Sequence, residues 1–111
     1  MVLKGIQLQD IKKQIIANLV ADLNAKKIVL YGSYASGKPS DKSDMDLAVI
    51  SPVFRGRDYI NRLNLIDKSL DKIKKPFLFD FEYFGYTPEE YDNASPISFL
   101  SEIKSTGQEI F

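Results

Sequence analysis

The sequence predicts a small α/β domain, more closely an α+β layer in which one mixed β-sheet is covered by helices. Three observations carry this expectation. Helical periodicities and short β-branched runs alternate in the order helix, strand, short helix, strand, helix, strand, helix, helix. The chain has 111 residues, which suits a single domain over 1–111, and 44% of them are hydrophobic, enough for one core. Finally, no repeat, linker or long low-complexity stretch interrupts it.

Leu8, Ile11, Ile15, Leu19 and Leu23 recur at helical spacing and predict an amphipathic helix over 7–23. Ile28, Val29 and Leu30 make a buried strand over 27–31, stopped by Gly32. A short segment closes at Gly37, and an apolar strand over 46–50 is stopped by Ser51 and Pro52. Tyr59, Leu63, Ile66, Leu70 and Ile73 mark the next helix, with Asp58 as N-cap, Lys72, Lys74 and Lys75 in its last turn, and Pro76 ending it. Over 77–84 the residues alternate. Phe77, Phe79, Phe81 and Tyr83 fall on one face, and Leu78, Asp80, Glu82 and Phe84 on the other. An aromatic face on helices with an acidic face toward a cleft explains the pattern; a solvated edge strand is the plainer alternative. Thr87-Pro88-Glu89-Glu90 reads as a capping box with Pro at the first helical position, and Ser95-Pro96 repeats the signal before a helix over 97–104. Residues 108–111 read as a closing strand or a frayed tail.

Composition narrows the chemistry. Lys plus Arg and Asp plus Glu are both 15, so no global basic field draws the chain onto nucleic acid. There is no Cys and no His. Thiol nucleophiles, disulfides and the usual zinc sites are therefore excluded, and a metal must be held by oxygen, which favours Mg²⁺, Mn²⁺ or Ca²⁺. Residues 1–10 lack the apolar core of a signal peptide, and no apolar run approaches a membrane span, so a cytoplasmic location without membrane contact is expected.

The chemistry concentrates in 31–50. Gly32 allows close backbone approach, and Ser33 offers a hydroxyl and an N–H at the start of a short helix, an arrangement suited to phosphate. Gly32 to Lys38 also nearly matches the P-loop pattern, but Pro39 stands where that pattern needs Ser or Thr. Asp44 and Asp46 follow, two apart at the mouth of an apolar strand and so on one face. Paired carboxylates there repel, and a divalent cation between them removes the conflict. The plainer alternative is that Asp44 caps a turn and only Asp46 points inward.

Together Gly32-Ser33-Tyr34-Ala35-Ser36-Gly37 and Ser43-Asp44-Met45-Asp46-Leu47 resemble the signature of the DNA polymerase β-type nucleotidyltransferase superfamily. They look most like its minimal nucleotidyltransferase (MNT) domains of bacteria and archaea. The resemblance covers nearly the whole chain, including the approach to Thr87-Pro88 and the ending at 108–111. It implies the polymerase β-like fold and a reaction on a nucleoside triphosphate, ATP above all, with two Mg²⁺ ions. Asp44 and Asp46 would hold the metals, and Gly32 and Ser33 would position the phosphates. The third carboxylate of the family would be Asp80 or Glu82. Spacing to Thr87-Pro88 favours Glu82, and the hydrophobic-Asp pattern favours Asp80. Ser36 departs from the Arg that many relatives carry.

The resemblance also implies a partner. Small MNT proteins are typically paired with a HEPN-domain protein, often as antitoxin and toxin, and transfer AMP to a toxin tyrosine. The chain has no length for an acceptor domain, so a second chain, or a homo-oligomer, would complete the cleft. The alternative is a catalytically degenerate MNT protein that neutralises its HEPN partner by binding alone. Phe77, Phe81, Tyr83, Phe84, Tyr86 and Tyr91 are candidates for a partner surface or for core.

Overall fold

A computed structural model describes residues 2–40, 44–74 and 79–111. Lys75, Pro76, Phe77, Leu78 and Ser43, to which the sequence assigned roles, lie outside the described residues. Four strands, β1 (Lys27–Tyr31), β2 (Met45–Ile50), β3 (Phe81–Tyr86) and β4 (Gln108–Glu109), form one sheet in the order β3-β2-β1-β4. The pairs β1–β2 and β1–β4 are antiparallel, and β2–β3 is parallel. Five α-helices lie among the described residues: α1 (Gly5–Leu23), α2 (Ser33–Ser36), α3 (Tyr59–Leu70), α4 (Pro88–Asp92) and α5 (Phe99–Thr106). The mixed sheet with covering helices is the predicted class.

Strand alternation divides the core in two. Ile28, Leu30, Met45, Leu47, Val49 and Phe81 point to one side, where Ile11, Ile15 and Leu19 of α1 and Ile66 and Leu70 of α3 bury them. Val29, Tyr31, Ala48 and Ile50 point to the other, under Tyr91 of α4 and Leu100 and Ile103 of α5. The helical stripe of α1 thus packs as its periodicity predicts, and Asn24, in the left-handed conformation, ends the helix.

Several boundaries differ from the sequence reading; β2, for one, begins one residue early at Met45. α3 stops at Leu70, so Lys72 and Lys74 lie beyond its last turn and Lys68 occupies it. The predicted strand over 77–84 begins only at Phe81 and runs on to Tyr86. Phe79 and Asp80 precede the regular strand, and Gly85 and Tyr86 extend it by pairing with Val49 and Ile50. α5 starts at Phe99 with Ser98 as its cap, two residues after the predicted start at Ile97, which is 96% exposed. α1 begins two residues early, at Gly5. The Thr87 capping box is present as predicted, with both reciprocal hydrogen bonds made. β3 is an edge strand, as the plainer reading of its acidic face allowed.

Of the candidate partner-surface aromatics, Phe81 and Tyr91 are buried, while Tyr83, Phe84 and Tyr86 are half-buried. Among the described residues the exposed aromatics are others: Tyr59, Phe99 and Phe111.

Candidate active site

The site is built where β1 ends and β2 and β3 begin. β1 stops because Gly32 turns the chain with φ 71° and ψ −151°, a conformation that a side chain rarely tolerates. The turn opens α2, whose Ala35 and Ser36 N–H groups both donate back to the Gly32 carbonyl at 3.1 Å. Helix geometry leaves the earlier N–H groups, those of Ser33 and Tyr34, without partners inside the helix. Gly37, at φ 77°, ends α2 in the left-handed conformation, as its sequence position predicts. No helix follows at Lys38 or Pro39, so the P-loop reading, which needs a helix there, does not hold. The Ser36 hydroxyl donates to the Ser33 carbonyl at 3.1 Å.

Behind this turn the sheet register makes a row. Tyr31 of β1 pairs with Asp46 of β2, and Asp46 pairs with Glu82 of β3. All three side chains fall on the α4/α5 side of the sheet. Asp46 is half-buried and lies against Gly32, so closely that a Cβ there would meet Asp46 Oδ2 at 2.1 Å. Gly32 therefore serves two purposes: it turns the backbone and makes room for the carboxylate.

Burial, first, then the negative charge of Glu82, a hydrogen bond with Glu82 and the charge of Asp44 hold the Asp46 carboxyl well above the ordinary range, at about 6. Burial and the neighbouring carboxylates thus favour the protonated form of Asp46. Burial, followed by the charges of Asp46 and Glu82, pushes the Tyr31 hydroxyl up.

Asp44 is exposed at the mouth of β2, close enough to act on Asp46. Asp80 has a different setting. Its carbonyl accepts from Met45 N–H at 3.0 Å, and its Oδ1 accepts from Phe81 N–H at 2.8 Å. Its charge acts on Tyr83, whose hydroxyl donates to Asp67 at 2.6 Å on the opposite side of the sheet, and it is not among the causes that raise Asp46. The register sets Asp46 beside Glu82, with Asp44 near enough to act on Asp46 and Gly32 directly against it.

The donor set fits a hard cation: its ligands are oxygens, and Asp46 and Glu82 are neighbouring carboxyls. Among the described residues, however, no three acidic side chains converge closely enough to form a metal-binding cluster. Asp44 stands beside the pair rather than in it.

Sequence reasoning missed two things. Tyr31 joins the row only through the antiparallel register, which no local pattern encodes. A cleft of about 450 Å³ between the Gly32 turn and α5, lined in part by Phe99 and Glu102, is likewise invisible to periodicity.

Residues 13–111 match the family model described as Polymerase beta, Nucleotidyltransferase. Among solved structures, a toxin–antitoxin crystal structure with AMP-PNP aligns with a TM-score of 0.61 at 23% identity, over 90% of this chain and 72% of that one. A Sulfolobus solfataricus structure assigned as a nucleotidyltransferase aligns with a TM-score of 0.65 at 15% identity, over 98% of this chain and 90% of that one. BolA1 from Arabidopsis thaliana aligns with a TM-score of 0.55 at 17% identity, over 79% of this chain and 98% of that one. At such identities the likeness is one of fold, and it extends to BolA1, so family membership rests on the sequence match. No curated protein matches the chain.

Proposed function

The chain belongs to the family of Polymerase beta, Nucleotidyltransferase domains, and on that footing we propose that it transfers AMP from ATP, with Mg²⁺, to a hydroxyl of a partner protein in the cytoplasm. The partner is a HEPN-domain toxin, and the chain is its antitoxin. The observation that carries the reading is the contact of Asp46 with both Gly32 and Glu82. It sets a charged carboxyl pair directly behind a turn whose N–H groups suit phosphate. The toxin–antitoxin structure with AMP-PNP supports the choice of nucleotide and of role.

Each residue then has a task. Ser33 and the N–H groups at the start of α2 bind the β- and γ-phosphates. Asp44, Asp46 and Glu82 would hold the metal, which would supply charge neutralisation for the triphosphate and a lowered pKa for the acceptor hydroxyl. Glu82 takes the acceptor proton in this reading, which its exposure on the edge strand supports. The acceptor oxygen forms a bond to the α-phosphorus as the bond to the β-phosphate oxygen breaks, and pyrophosphate leaves. Most of the rate enhancement then comes from positioning and charge neutralisation.

The test uses α-labelled ATP, Mg²⁺ and the product of the neighbouring gene. Label should appear on that partner, and Asp44→Ala and Asp46→Ala should abolish it. Equal labelling by the double variant would sink the reading. The exposed Asp44 outside the carboxyl pair supports a second reading, neutralisation of the partner by binding alone. It requires that neutralisation survive Asp46→Ala.

A further inference from the structure

The cleft beside the Gly32 turn has chemistry that the transfer site does not use. Gly32 and Ser36 form one wall, and Tyr31, Phe99, Glu102, Ile103 and Thr106 form the rest of its lining. Its volume, about 450 Å³, accommodates a nucleoside.

Two features of the α5 wall are unusual. The Phe99 ring is 53% exposed although it sits in an aromatic chain, edge-on to Tyr31 at 5.9 Å and to Phe84 at 5.8 Å. Those contacts occupy part of the ring and leave surface toward solvent. The Glu102 carboxylate, next to it on the first turn of α5, makes no hydrogen bond or ion pair among the described residues. The Thr106 hydroxyl is already used, donating to the Glu102 carbonyl at 2.8 Å. An acidic residue in a first helical turn is favourable to the helix dipole without any ligand. A free carboxylate beside a half-exposed ring, in a cleft that opens onto a phosphate-type turn, asks for more than that.

We infer that this cleft seats the nucleobase of the substrate, with Phe99 as its stacking platform and Glu102 as its selector for bases that carry an exocyclic amino group. The inference rests on the proposed nucleotidyltransferase reading and adds the substrate class. A carboxylate only accepts hydrogen bonds. Adenine and cytosine each present one amino group, and guanine presents an amino group beside a ring N–H. Uracil presents carbonyl oxygens on both sides of its single ring N–H, and these face the carboxylate unfavourably. The chain should therefore accept purine triphosphates and CTP and discriminate against UTP.

The test is equilibrium binding, by calorimetry with Mg²⁺, of the α,β-methylene analogues of ATP, GTP, CTP and UTP, which react with nothing. The wild-type protein should bind the first three about tenfold or more tightly than the UTP analogue. Glu102→Gln, whose amide both donates and accepts, should bring all four within about threefold of one another. Phe99→Ala should weaken all four about tenfold. Both side chains are exposed, and thermal melts matching the wild type confirm that the variants fold. Binding of all four with a pattern that neither variant changes overturns this inference and leaves the transfer reading standing. Failure of every analogue to bind the wild-type protein overturns both.

Discussion

The two faces of the sheet show what each half of the molecule is for. On the α1/α3 face every strand residue from β1 and β2 is apolar and buried, and two long helices cover it. On the α4/α5 face the same strands carry Val29 and Ala48 in the middle and Ile50 at one end, but Tyr31 and Asp46 at the other end, joined by Glu82 from β3. The covering helices there are short and leave the Asp46 end open, with Phe99 half-exposed beside it. One face buys stability from apolar burial. The other gives some of it up to hold carboxyl groups next to each other. Substitutions on the two faces should therefore separate stability from activity.

The largest effect should come from the open face. Asp46→Asn keeps the shape of the side chain but removes the charge, and should lower transfer by on the order of 10³-fold in a labelled-nucleotide assay, without loss of melting temperature. The covered face should give the converse. Leu47→Ala, fully buried between α1 and α3, should cost about 3 kcal/mol in urea unfolding, while folded protein retains its transfer activity.

Gly32→Ala should cross the divide. Its methyl would collide with the Asp46 carboxylate in a backbone conformation that already disfavours a side chain. A loss of about 2 kcal/mol in stability, together with loss of transfer, is expected from denaturant melts and the labelling assay.

A smaller effect follows from charge. Asp46 is held at about 6, above its unfolded value of 3.8. The folded state then binds the proton more tightly than the unfolded state. The contribution of this group to stability is full below the unfolded value and is lost as pH rises through about 6. Asp46→Asn should thus raise stability by about 1 kcal/mol near pH 8, a figure discounted for partial exposure, and give no gain near pH 4. Melts of both proteins across that range check the sign.

The smallest should be Tyr34→Phe, which leaves the ring edge-on to Phe79 and removes only the hydroxyl that accepts from Leu3 N–H at 3.1 Å. About 1 kcal/mol is expected in the same melts.

How far the sequence revealed these faces depended on whether the signal was local. The stripe of α1, the Gly32 and Gly37 turns and the Thr87 capping box are written in adjacent residues, and each stands where it was read. Asp46 was legible for the same reason, two residues after Asp44 at the head of an apolar run. The strand around Phe81 was misplaced because alternation continues through Phe79 and Asp80, whereas the ladder with β2 begins only at Met45 and Phe81. α5 was started early because Ser95-Pro96 carries a cap signal, whereas the cap is Ser98, whose hydroxyl accepts from Ser101 N–H. The sequence left Asp80 and Glu82 as alternatives because the neighbour of Asp46 is set by a parallel register between residues far apart in the chain, which pairs Asp46 with Glu82.

That register also supplies the most direct test of the central claim, that transfer runs on the row formed by Asp46 and Glu82. Label transfer should be measured side by side for Glu82→Gln and Asp80→Asn, with folding checked by melts. The account predicts that Glu82→Gln abolishes transfer and that Asp80→Asn keeps it within a few fold of the wild type. Loss of transfer in Asp80→Asn with transfer retained in Glu82→Gln would contradict it.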